Sequence, residues 1–574
     1  MLAVALLMSA RPALAQIDYR NLDDGRPVRV EDAYPVERYA FEFLLPYGFE
    51  QDHGGGAIHA LVPELAYGLL RNFHLGVKLP LAASDSGAGG SAWGLSGVRA
   101  FALYNFTTDS PRLPAIALRV DGYFPAGELG GEGVKGGATL IATRSFGSSR
   151  LHVNGAWGVG RFDSRAVVEG GEQWWYGAAL DRTLFRQSVL LIGEVYARRP
   201  SDAEPVEVNA SVGGRWQWTP TTVLDLGVSR RLRAAGPDLA FTFGLSHAFA
   251  VRALMPHGRP AVSLPPSGRD GRDEQFYYPG SFNWTFLHDY PQAARMFNAF
   301  DYGHAVLYER LTTARGPADS ALAAEYRYLT TDLLVRPPRF AVAEEAIEPH
   351  YARLAWKAKL MFDWAHVLHR QIYDVHADER LSEAEKDSLV ERLTDYYLSN
   401  RRLALAPVPK SMALMDDQYF SQVFRRRHAA FNGLIWAYHW LQVGLYEPLI
   451  AGRNAEERRA GVAAAVARFW QMLRDPPTSM PRVMPMTATI APRFTARHPR
   501  AAAIFDNLHM LHDVISDILA SEAVARADKR AVIYAQLAAF QDGTREVMTR
   551  ADWLMMGEMM GGAEAMGGAV PLRR

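Results

Sequence analysis

Between Arg38 and Val251 hydrophobicity alternates with a period of two, and this limits the possible folds more than any other feature of the chain. In YAFEFLLPYGF one face takes Tyr39, Phe41, Phe43, Leu45, Tyr47 and Phe49, and the other Ala40, Glu42, Leu44, Pro46 and Gly48. VEVNASVGGRWQW sets Val206, Val208, Ala210, Val212, Gly214, Trp216 and Trp218 against Glu207, Asn209, Ser211, Gly213, Arg215 and Gln217. LAFTFGLSHAF repeats the pattern. Twelve such segments follow one another, an even number.

A soluble sandwich also alternates, so other features must decide. The segments approach or exceed the roughly ten residues that a tilted membrane-spanning strand needs. Aromatic residues gather towards their ends, as an interfacial girdle requires. The connections alternate in kind: tight ones at Arg71-Asn72, TDSPR, GSSR, RQS and TPTT, longer and mostly Gly-rich ones at QDHGGG, SDSGAGGSA, GELGGEG and VVEGGE. Short turns on one side and long loops on the other describe an outer-membrane barrel. The expected fold is two-domain, β + α: an N-terminal 12-stranded antiparallel outer-membrane β-barrel at 38–251, then an all-α helical bundle. Inward positions would carry Glu42, Arg99, Arg119, Asp121, Asp181, Glu194, Glu207, Arg215 and Asp225, pairing across a small lumen rather than lining a wide pore.

Residues of roughly 30–251 also resemble a known family. The opening ERYAFEF, the hairpin PELAYGLLRNFHLGVKLPL and the ending FTFGLSHAF are similar to the outer-membrane transporter-like barrels associated with the meta-pathway of phenol degradation. The resemblance implies a channel in the outer membrane of a Gram-negative bacterium, in contact with outer-membrane lipid and passing a small-molecule cargo. It covers under half the chain.

The chain begins MLAVALLMSARPALAQ, an apolar run followed by Ala13-Leu14-Ala15. This reads as a secretory signal peptide, residues 1–15, cleaved after Ala15, with an N-terminal extension at 16–37. No later stretch reaches the roughly 18 apolar residues of a spanning helix. Residues 252–282, rich in Pro, Gly and charge, read as a linker. The formal net charge of zero gives no footprint for nucleic acid. The absence of cysteine removes disulfides, thiolate zinc sites, iron–sulfur clusters and covalently attached haem.

From about residue 283 the period becomes helical. Candidate helices run near 290–312, 317–334, 350–376, 382–402, 412–446, 454–474, 498–523 and 525–550, with a Ser382/Glu385 capping box. The bundle, 283–550, is expected in the periplasm, followed by a Met/Gly-rich tail at 551–574.

Within the bundle Phe-Asp-x-x-His occurs three times, as FDYGH at Phe300–His304, FDWAH at Phe362–His366 and FDNLH at Phe505–His509. Residues i and i+3 stand about 60° apart on a helix, so each Asp and His share a face. His369 and His512 extend two of these faces, and His428 with Asn432 begins a fourth that His439 rejoins three turns later. Imidazoles and carboxylates without thiolates suit iron, copper, zinc or manganese. The candidate ligands are Asp301, His304, Asp363, His366, His369, His428, Asp506, His509 and His512. Methionines at 480, 484, 486, 555, 556, 559 and 560 add a soft option for copper. Three readings follow: a transition-metal-binding bundle for handling a metal or small molecule, favoured here and not an enzyme; a membrane-tethered haem or di-metal redox enzyme, with Trp364, Trp436, Trp440 and Tyr302 as pocket walls; or a structural bundle of Asp–His core pairs with no cofactor.

Overall fold

The computed structural model describes residues 13–14, 19–23, 25–36, 38–70, 72–85, 90–107, 109, 113–160, 168, 171–251, 254, 284–315, 318–477 and 483–570. The signal-peptide segment other than 13–14, almost all of the 252–282 linker and Met480 lie outside them. The chain divides into two compact units, one carrying the barrel and the other the helices.

The first unit is a closed antiparallel barrel of twelve strands. They are β1 (Ala40–Gln51), β2 (Ala57–Leu61 with Glu64–Leu70), β3 (Phe73–Lys78 with Leu81–Asp85) and β4 (Ser91–Leu95 with Val98–Thr107). Then come β5 (Ala115–Phe124), β6 (Lys135–Phe146), β7 (Ser149–Val159), β8 (Trp174–Leu184), β9 (Val189–Arg199), β10 (Glu207–Thr219), β11 (Thr222–Arg231) and β12 (Leu239–Ala250). Each pairs with its neighbour in sequence, and β12 closes on β1 in register from Leu239 opposite Gln51 to Ala250 opposite Ala40. Closure joins the first and last strands and so removes the two long edges that an open sheet would carry. The breaks inside β2 and β3 fall at Pro63 and Pro80, where the ladder loses a donor. The β2–β3 turn is made by Asn72 at φ 60°.

Alternation sorts the two faces as expected. All nine acidic and basic positions assigned inward, from Glu42 to Asp225, are buried, while Leu191, Val195, Val212, Trp216, Leu226 and Phe243 are exposed on the outer wall. Their partners are a surprise. The segment from Tyr19 to Val36, an N-terminal extension in the sequence, runs inside the barrel. Arg26 pairs with Asp225 at 2.9 Å, Arg119 with Glu31 at 2.8 Å, Arg150 with Asp32 at 3.1 Å and Arg215 with Asp23 at 2.8 Å. The Glu194 carboxylate accepts from the backbone N–H groups of Arg29 and Val30, both at 2.8 Å. Only some wall charges pair with each other, as Arg99 does with Asp121. The wall makes room for this occupant: a Cβ on Gly227 would lie 1.9 Å from the Pro27 carbonyl oxygen, and one on Gly213 2.8 Å from the Pro27 side chain.

The second unit is all helical. Four long helices matter here: α1 (Pro291–Thr313), α2 (Trp356–Ala377), α3 (Ala429–Gly444) and α4 (Pro499–Ala520). Pro at the first turn starts α1 and α4, where its missing N–H costs nothing. The Ser382/Glu385 capping box is present at the head of Glu383–Ser399. The single helix expected over 412–446 is instead Ala413–Asp416, Val423–Arg427 and α3: Gln422 takes a left-handed φ of 64° before the second piece, and His428, at φ −117°, leaves the helical backbone between the second and third. α1 packs on α3 and α4, and α2 packs on α4. Helices apolar around most of their circumference belong inside, and nearly all of α4 is buried.

Candidate metal centre

The centre grows from α1. His304 Nδ1 lies 3.0 Å from the Phe300 carbonyl oxygen. A carbonyl can only accept, so Nδ1 carries the proton and Nε2 keeps its lone pair. That Nε2 faces His439 Nε2 of α3 at 3.1 Å, and the same His439 nitrogen meets His512 Nδ1 of α4 at 3.2 Å. Protons on both His439 Nε2 and His512 Nδ1 would collide, so the three nitrogens hold at most one proton between them. At least two lone pairs therefore converge on one point. A helix carbonyl that fixes the tautomer of an imidazole is the usual outer support of a metal ligand.

Three more imidazoles surround this trio. His509 stacks on His439 with ring centroids 4.2 Å apart, and His512 stacks on His304 at 4.3 Å. His366 stands 5.7 Å from His512. His369 lies 6.0 Å from His509, and its Nδ1 meets the Tyr446 hydroxyl at 2.8 Å. Both ring nitrogens of His366 and of His509, and Nε2 of His369 and His512, have no hydrogen-bond partner although buried. Buried polar atoms are normally satisfied, so this concentration of bare nitrogens calls for a ligand.

The electrostatics agree. Burial, and then the nearby imidazole of His366, push His304 down to about 3. Burial, and then Arg370, push His366 down to about 3. Burial, followed by neighbouring imidazoles, holds His369, His439, His509 and His512 well below the usual histidine range. All six rings are thus neutral at ordinary pH and available as ligands.

The Asp residues of the three repeats have different surroundings. Asp301 approaches His366 Nδ1 at 3.4 Å through Oδ1 and binds Arg370 through Oδ2. Asp363 pairs with Lys359 one turn back, at 2.5 Å. Asp506 accepts from the Thr487 N–H and hydroxyl and from Trp553 Nε1, at 2.7, 2.6 and 2.8 Å. Two of the Phe residues pack on imidazoles of the centre, and the third packs on a neighbouring tyrosine. Phe505 stacks on His369, Phe362 contacts His512 at 4.1 Å and Phe300 stacks on Tyr438 at 4.1 Å. His428, just ahead of α3, stands by Asp319 at 3.5 Å and by Phe424.

Of the candidate ligands, the structure thus gathers His304, His366, His369, His509 and His512 in one cluster with Asp301 at its edge, and sets Asp363, His428 and Asp506 apart. It adds His439, whose helical phase was visible, and Glu344, which no motif marked. One atom each from Asp301, Glu344 and His366 lie within 4.8 Å of one another, as do one each from His304, His439 and His512. Met484 and Met486 are buried, whereas Met555 and Met559 lie exposed on the helix Arg550–Met559.

No protein-family model and no curated protein matches the sequence. Among solved structures, the chain is similar to the COG4313 outer membrane channel from Pseudomonas putida F1, at 14% identity and a TM-score of 0.30, over 40% of this chain and 100% of that one. It is similar to the KdgM porin at 11% identity and a TM-score of 0.26, over 36% and 98%. Outer membrane phospholipase A from Escherichia coli gives 11% and 0.25, over 41% and 95%. At these scores the likenesses carry no further argument.

Proposed function

We propose that this protein is an outer-membrane barrel carrying a periplasmic helical domain that binds a transition metal, for handling or transport of that metal or a small molecule. Support for the membrane reading comes from the barrel itself, closed, apolar outside and charged inside. The association with phenol degradation rests on sequence resemblance alone.

One observation carries the metal reading: the Nε2 lone pair of His304, fixed by the Phe300 carbonyl, meets His439 and His512 at a shared point. Three imidazoles suit zinc, copper, nickel or iron. Close stacking of the rings, at 4.2 and 4.3 Å, favours a bare ion over haem, which needs an open slot between its axial ligands.

The test is elemental analysis of the full chain purified in detergent from outer membranes. Stoichiometric metal, lost in His439→Ala, supports the reading. A folded wild-type protein that stays metal-free after incubation with Zn²⁺, Cu²⁺, Ni²⁺ or Fe²⁺ would sink it.

A further inference from the structure

Beside the imidazole trio lies a chemically different group of side chains. His366 is 6% exposed and has no hydrogen-bond partner on either ring nitrogen. Its Nδ1 lies 3.4 Å from Asp301 Oδ1, which is likewise buried and accepts no hydrogen bond, because Arg370 holds only Oδ2. Glu344, on the short helix Glu344–Ile347, brings a second carboxylate within 4.8 Å of both. These residues come from three elements far apart in sequence, so no local turn explains their meeting.

We propose that Asp301, Glu344 and His366 form a second cation site, next to the trio, for a hard divalent ion of the Mn²⁺ or Fe²⁺ class. Two carboxylates and one imidazole match such an ion, while three imidazoles match a softer one. The surroundings hold more acids than bases. Asp301, Glu344, Glu345, Glu348 and Asp363 gather around Lys359 and Arg370, five acids against two bases. Arg370 acts as the outer support of Asp301: it fixes the carboxylate through one oxygen and leaves the other for the ion. Lys359 holds Asp363, which in turn hydrogen-bonds Glu344 at the edge of the site. The site uses none of His304, His439 and His512, so it stands or falls separately from the trio.

The experiment uses the full-length protein in detergent, stripped with chelator and titrated with Mn²⁺, the free ion being counted by electron paramagnetic resonance. One Mn²⁺ per chain is expected. Glu344→Gln and Asp301→Asn each weaken it by roughly ten-fold or more, and His439→Ala leaves it in place while lowering Zn²⁺ uptake. Far-UV circular dichroism checks each variant. Should Asp301→Asn unfold because Arg370 loses its partner, Glu344→Gln, at a partly exposed position, carries the test alone. No Mn²⁺ binding, or binding indifferent to Glu344→Gln, overturns the second site. Mn²⁺ bound at this site without any Zn²⁺ lost in His439→Ala would instead reject the trio and keep the second site.

Discussion

The Nε2 atoms of His304 and His439 stand 3.1 Å apart across two helices, with a lone pair on the His304 side. Replacing His439 by Ala removes the ring whose Nε2 lies within 3.2 Å of a nitrogen of each other member of the trio. Affinity for Zn²⁺, measured by competition with a chromogenic chelator, should fall on the order of 100-fold, with helicity retained. An unchanged affinity would mean that the trio is not the binding point.

Asp506 should behave as structure rather than ligand. Its carboxylate takes three donors and is pushed up to about 6 by burial. Asp506→Asn presents an amide N–H to a site full of donors and should destabilise the protein by ~1–3 kcal/mol in denaturant melts. Metal content per folded chain should not change. Metal loss at full stability would reverse the assignment.

His498, buried just ahead of α4 and clear of the trio, predicts a pH effect. Burial pushes it down to about 4. As pH falls below about 6.5, the unfolded chain takes up the proton first, so stability present above that value is lost on the way down to about 4, by up to ~3 kcal/mol. Asp513, pushed up to about 7 by burial, works in the opposite sense: its contribution is full below about 3.8 and lost as pH rises through 7. Scanning calorimetry of His498→Leu against wild type isolates the first effect. The Tm difference should shift in favour of the variant between pH 6.5 and 4, and a constant difference would contradict it.

Gly227 is the sharpest test of the filled lumen. A Cβ there would sit 1.9 Å from the Pro27 carbonyl, so Gly227→Val must displace the inner segment. Single-channel conductance in planar bilayers should rise several-fold above wild type. Equal conductances would mean that the segment does not obstruct the lumen.

Much of this architecture was legible in the sequence because it is periodic. Alternation marks every strand and tells Asp225 from Leu226, and the i, i+3 spacing puts Asp301 beside His304 on one helix face. What lies opposite was not legible. Asp363 and Asp506 sit in identical frames, yet Lys359 claims one and Thr487 with Trp553 the other, through packing that no local pattern encodes. Glu344 belongs to one short helical turn without a motif. The inner segment has no period at all, since its backbone donors are spent on wall side chains such as Glu194 instead of on a regular ladder.

The glycine notch for Pro27 bears on how the molecule is assembled. Residues 19–36 precede β1 in the chain and are tied by ion pairs to walls formed much later in sequence. Once β12 has met β1, a polar segment tied by ion pairs to several strands has no easy way in. The seam must therefore shut around a segment already in place, which makes the wall and its filling a single folding event.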